Sequence, residues 1–224
     1  MTAPERATLE AAGRALAAES ARFAGMGWMR GTSGNLSVTL TRNPLRLAVT
    51  ASGLDKNELT GADIVVIDRL GEPVDIPQAP GQPALLRAGL RPSAEAGLHA
   101  RIAEVTGAGA VVHVHQLSAV LAGHYFPDGV PIRDMEMLKG IGHSAHDQTV
   151  TVPVVPNDQD MTVLGDAFEQ AYVPATDDVA EVPVLIVANH GIYAWGADLL
   201  QARQHAEIIE WLLRFKVETR EPAR

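Results

Sequence analysis

Gly109-Ala110-Val111-Val112-His113-Val114-His115 is a β-branched apolar run without helical spacing, and it reads as a buried strand. Alternate side chains of a strand share a face. The two imidazoles therefore stand side by side, about 6–7 Å apart along the backbone, and their ring nitrogens can converge on one ion. A second apolar run, Val184-Leu185-Ile186-Val187-Ala188-Asn189, ends in His190-Gly191 and supplies a third imidazole. Three His ligands leave a fourth position open, as in a catalytic rather than a structural zinc site. The competing reading makes each His a satisfied core or strand-end residue. A lone His would be read that way; a His-x-His pair on an apolar strand is read as a metal site.

Outward from these strands, residues 4–25 form an Ala-rich helix stopped by Gly25 and Gly27. Residues 35–41 and 46–50 make a hairpin around Asn43-Pro44, and 63–68 a third strand. Pro and Gly dominate 73–92, which reads as a surface loop. A helix over 94–106, the His-x-His strand over 109–116 and a short helix over 118–125 follow. Residues 149–155 read as one strand and 160–172 as a helix. Residues 182–189 form a buried strand with Gly191 as the turn after it. Asp198 caps a terminal helix reaching about 218, with Leu199, Ala202, Ala206, Ile209, Leu212 and Leu213 at three- and four-residue steps. The expectation is one α/β domain over residues 1–224.

Composition narrows the function. The chain of 224 residues carries 18 Lys plus Arg against 27 Asp plus Glu, a net charge of −9, with no basic stripe, which argues against a nucleic-acid partner. Cys is absent, so thiolate metal sites, Cys nucleophiles and disulfides are excluded. The start lacks an apolar signal core, and no apolar run approaches the ~20 residues of a membrane helix. The chain is expected to be cytoplasmic, without a membrane partner.

Three motifs suit an anion: Gly31-Thr32-Ser33-Gly34-Asn35-Leu36-Ser37, Thr50-Ala51-Ser52-Gly53-Leu54-Asp55-Lys56, and Pro92-Ser93-Ala94-Glu95 at a helix start, with Ser93 as its N-cap. Singly each is a turn or a cap. Two carboxylates could move protons. Glu95 lies in the first turn of its helix; Glu136, in Arg133-Asp134-Met135-Glu136-Met137-Leu138-Lys139-Gly140, is a lone acid among apolar residues that could desolvate it. Spacing does not choose between them. His143 and His146 are read as a solvated loop pair, His99 as an i,i+4 partner of Glu95, and His124 and His205 as helix residues without a ligand role.

Taken in order, GTSGNLS (31–37), TASGLDK (50–56), PSAE (92–95), HVH (113–115) and ANHG (188–191) resemble the class II aldolase/adducin-type family over nearly the whole chain. The resemblance implies a three-layer α/β/α fold with a largely antiparallel central sheet and a homotetramer with sites near subunit interfaces. It implies one zinc ion per subunit, held by His113, His115 and His190. A phosphate grip matches Asn35, Ser52, Gly53 and Ser93, and Lys56 is added on its charge. RDMEMLKGIG (133–142) is similar to the family's dehydratase branch, which implies loss of water from 5-methylthioribulose 1-phosphate. In that branch Glu136 matches the acid–base, and Glu95 matches the carboxylate that in the aldolases both approaches the metal and acts as base. The alternatives are a sugar-phosphate aldolase and a non-catalytic adducin-like module, whose domains lack the His set. The Tyr that aldolases take from a neighbouring subunit has no counterpart found here.

Overall fold

Thr2 opens the first helix, α1 (Ala3–Gly25), with a reciprocal cap: its hydroxyl accepts the Glu5 N–H, and the Glu5 carboxylate accepts the Thr2 N–H. The computed structural model describes residues 2–77, 83–144, 146 and 148–220. After α1 come β1 (Asn35–Arg42), β2 (Leu45–Thr50), β3 (Ile64–Ile67), α2 (Ala96–Thr106), β4 (Ala110–Val114), α3 (Leu117–Tyr125) and β5 (Val130–Ile132). A 3-10 helix (Glu136–Ile141), β6 (Val150–Val152), β7 (Val154–Val155), α4 (Met161–Ala171), β8 (Val184–Val187), β9 (Gly191–Gly196) and α5 (Leu199–Glu218) complete the chain. The surface-loop reading of 73–92 holds where it can be seen; its residues 78–82 lie outside the described residues.

Seven strands form one sheet in the order β3-β2-β1-β4-β9-β8-β7, antiparallel throughout except for β7 on β8. The alternation along β4 sorts its neighbours. Ala110, Val112 and Val114 join Leu16 and Phe23 of α1, Ala119 of α3 and Ile209 and Leu212 of α5 on one face. On the other face Val111 meets Leu98 and Ile102 of α2 and Leu164 and Phe168 of α4. The result is the three-layer α/β/α arrangement with a largely antiparallel sheet. Apolar side chains on both faces explain why the central strands read as continuous hydrophobic runs rather than alternating ones. No helix among the described residues is long and apolar enough to cross a membrane.

Three expectations change. The run 149–155 is two strands, because Pro153 lacks the N–H that would continue one ladder. β6 pairs with β5 in a separate two-stranded ribbon, while β7 joins the main sheet. The sequence reading also missed β9, a fully buried strand between β4 and β8. Gly191 begins that strand and is no turn; Asn189, at φ 56°, makes the turn. Glycine is needed at 191 for closeness: a Cβ there would lie 2.4 Å from the Val114 carbonyl oxygen. Finally, α2 starts at Ala96, with Glu95 rather than Ser93 at the N-cap position and no side-chain cap.

Candidate metal centre

Register places the first donors. Asn35 on β1 and Tyr193 on β9 flank His113 directly across the sheet. The β8–β9 turn presents His190, and the start of α2 lays Glu95 over the same strand ends. His115 lies one residue beyond β4, where its N–H donates to the Trp28 carbonyl oxygen at 2.9 Å. The loop before β1 closes on this point: Gly34 sits at φ +76°, and a Cβ on it would lie 2.8 Å from the Met29 side chain and 3.0 Å from the His113 carbonyl.

Ligand atoms of Glu95, His113, His115 and His190 all lie within 4.8 Å of one another. His113 Nε2 is 2.9 Å from His115 Nε2 and 3.3 Å from a Glu95 carboxylate oxygen, which is 3.0 Å from His190 Nε2. Two of the three outer ring nitrogens have partners. His113 Nδ1–H donates to the Ile192 carbonyl at 2.8 Å, and His190 Nδ1–H to the Asn157 amide oxygen at 3.3 Å. Those bonds leave both Nε2 lone pairs aimed inward, as a metal-ligating imidazole requires. The Nε2 atoms of His113 and His115, 2.9 Å apart, need a proton or a cation between them. The donor set of three imidazoles and one carboxylate therefore fits a divalent ion.

The electrostatics agree. Burial alone would raise the Glu95 carboxyl, but its close contacts with His113, His190 and Asn35 outweigh it and hold the acid well below the usual range. Burial, then the neighbouring His113 and His190, push His115 down to about 4. The imidazole thus stays neutral and available as a ligand at neutral pH.

The other sequence candidates fall at different distances from this point. Buried Asn35 donates to Glu95 at 2.6 Å and to the Ser93 hydroxyl at 3.1 Å, so two of the anion motifs meet at the metal-side carboxylate. Ser52 and Gly53 are exposed on their turn, with the Ser52 N–H donating to the Arg91 carbonyl. Lys56 is buried: its ammonium donates to the Thr32 and Leu54 carbonyls, tying the first two motifs together, and burial lowers its pKa.

Glu136 is not one of the four clustered donors. It sits on the 3-10 helix with its side chain 68% exposed, bonded to Lys139 at 2.6 Å and 3.8 Å from His146. Its expected desolvation is absent, since Leu138 turns inward while Glu136 faces out. The hydrogen bond from Lys139 lowers its pKa instead of burial raising it.

His99 is fully buried and shares a 2.8 Å hydrogen bond with Ser37, correcting its expected contact with Glu95. His143 is buried against the Glu181 carbonyl and is no solvated loop residue. Asn157, Ile192 and Tyr193 were missed as supports of the centre. Tyr193 stacks on His113 with ring centroids 4.1 Å apart. No motif marks them; only the strand order does.

Residues 14–217 match the family described as the Class II Aldolase and Adducin N-terminal domain. The chain is 37% identical over 191 residues to methylthioribulose-1-phosphate dehydratase of Persephonella marina, covering 84% of this chain and 81% of that one. Among solved structures, YgbL of Klebsiella pneumoniae superposes with a TM-score of 0.70 at 23% identity, covering 95% of this chain and 92% of that one. L-fuculose 1-phosphate aldolase of Glaciozyma antarctica superposes with a TM-score of 0.67 at 17% identity, over 98% and 77%. With matching motifs, sheet and His/Glu cluster in place, the chain belongs to the class II aldolase/adducin family.

Proposed function

We propose that this chain is a zinc-dependent hydro-lyase that removes water from 5-methylthioribulose 1-phosphate, giving 2,3-diketo-5-methylthiopentyl 1-phosphate, a step of methionine salvage. The convergence of three Nε2 atoms and one carboxylate carries the metal half of the reading. The identity shared with the Persephonella marina dehydratase over most of both chains carries the substrate.

His113, His115 and His190 would hold the ion, with Glu95 beside it. When bound, a divalent cation polarises the C2 carbonyl and acidifies the C3 proton. The protein's part is placement and proton transfer. Asn35, whose two amide N–H groups go to Glu95 and Ser93, orients that acid and the Ser93 hydroxyl of the assigned phosphate grip, to which Ser52 and Gly53 add donors, and the grip fixes the carbons that face the centre. Lys56 keeps the two loops of that grip together, with one N–H left for the phosphate. Glu136 is assigned the transfer of the C3 proton and protonation of the departing C4 hydroxyl. To serve, it must exchange Lys139 for the substrate. Glu95 is assigned the supporting negative charge, because Asn35 and the imidazoles of His113 and His190 already surround its oxygens.

One observation favours a second reading. Glu95, unlike Glu136, already touches two imidazoles, as a base in the aldolase manner would. We assign the chain as one functional domain, a homotetramer in solution and cytoplasmic. The test is incubation of the zinc-loaded protein with 5-methylthioribulose 1-phosphate and product analysis. The diketo phosphate supports the dehydratase; a cleaved two-fragment product supports the aldolase. A purified protein that cannot hold a stoichiometric divalent ion removes both.

A further inference from the structure

A cleft of about 700 Å³ opens beside the cluster, with His115 in its wall. None of Asn35, Ser52, Gly53, Ser93 or Glu95 lines it; of the four clustered donors, His115 does. Met26, Trp28, Leu117, Leu121 and Val217 give it an apolar lining. Its charged members are two Arg, Arg30 and Arg214, and two Glu, Glu210 and Glu218, with Arg214 bonded to Glu218 at 2.9 Å. A balanced rim of this kind offers no net field for a phosphate dianion.

The wall is fixed to the metal ligand. The Trp28 carbonyl accepts the His115 N–H at 2.9 Å, and the indole stacks on buried Phe23 with centroids 5.7 Å apart. Leu117, two residues beyond His115, is 72% exposed on the first turn of α3 and lines the cleft.

We propose that this cleft is the subsite for the apolar thioether tail at C5 of the sugar phosphate, so that the substrate lies across the metal centre with its phosphate toward the Asn35 and Ser93 motifs and its methylthio group against Trp28, Leu117 and Leu121. The inference rests on the dehydratase reading for the identity of the tail. A thioether suits an aromatic and aliphatic lining, because its polarisable sulfur gains contact there without a hydrogen bond to lose.

The test compares two ligand pairs on the zinc-loaded full-length protein: 5-methylthioribulose 1-phosphate against 5-deoxyribulose 1-phosphate in turnover, and the corresponding ribitol phosphates, which lack the carbonyl, in calorimetric binding. The wild type should prefer the methylthio member by about ten- to a hundredfold in both, the range expected for one small apolar group in a fitted pocket. Leu117→Ala with Leu121→Ala should cut that ratio to about threefold or less. A variant damaged only in its fold lowers both members together and leaves the ratio unchanged, which overturns the subsite, as does a wild-type ratio near one. So does a change in sedimentation with an unchanged ratio, which would mark the cleft as the seat of a second copy of this chain. If the wild type turns over neither sugar while the binding ratio holds and then collapses in the variant, the subsite stands and the dehydratase reading falls.

Discussion

Glu95 and Glu136 are two acids of similar promise as sequence, and the fold treats them oppositely. Glu95 stands where a helix start meets three strand ends. Its side chain is 18% exposed, and Asn35, His113 and His190 contact its oxygens. Glu136 stands on a short 3-10 helix whose apolar residues, Leu138 and Ile141, point into the core and leave the acid in solvent with Lys139. Alternation in a strand delivers a side chain to a known face; a short 3-10 turn has three-residue steps, so Glu136 and Lys139 share the outer side. Apolar sequence neighbours therefore say little about the surroundings of a residue on such a turn.

The comparison breaks first at the ligands. His113→Ala or His115→Ala should abolish stoichiometric zinc and turnover together while the secondary structure survives, checked by metal analysis, rates and circular dichroism. An active variant that had lost an imidazole would remove the centre itself. Next comes the contrast between the acids. Glu136→Gln should lower kcat by about two to four orders of magnitude with zinc retained, the cost of a lost acid–base. Glu95→Gln should keep measurable turnover and bind zinc more weakly. The reverse pattern would give proton transfer to the clustered acid and favour the aldolase reading.

Substrate placement should respond less. Asn35→Ala and Ser93→Ala should raise KM for the phosphorylated sugar by about tenfold, and the sugar without its phosphate should be a poor substrate of the wild type. Equal use of both sugars would reduce the three Gly/Ser motifs to ordinary turns.

The smallest effect concerns the layer beneath the ligands. Burial pushes the pKa of His99 down to about 3. An unfolded chain takes up that proton near 6.5, whereas the folded chain resists it until about 3, so this group makes stability fall as pH drops from 6.5 toward 3. In the metal-free protein, His99→Gln should remove up to one proton from that slope, about 1.4 kcal/mol per pH unit, read from denaturation midpoints between pH 6.5 and 5. An unchanged slope would mean that the His99 site admits the charged ring.

Much of this molecule was legible in one dimension because its signals are local. The Ala-rich first helix, the hairpin at Asn43-Pro44, the His-x-His strand and the Asp198-capped terminal helix each follow from spacing and capping over a few residues. His113, His115 and His190 were nominated as one set through the alternation of a strand and the end of another, and the structure brings their nitrogens together with Glu95. The tertiary structure decided what depends on partners distant in the chain. Gly191 looks like a turn until the Val114 carbonyl is seen against it. The run through Pro153 divides because two different strands are waiting for its halves. Lys56 is held by carbonyls from two loops, and Glu136 faces solvent while its neighbours fill the core. Spacing along the chain fixes which face a side chain takes. What lies opposite that face, and so whether a charge is paired, buried or free, is set only when distant segments pack.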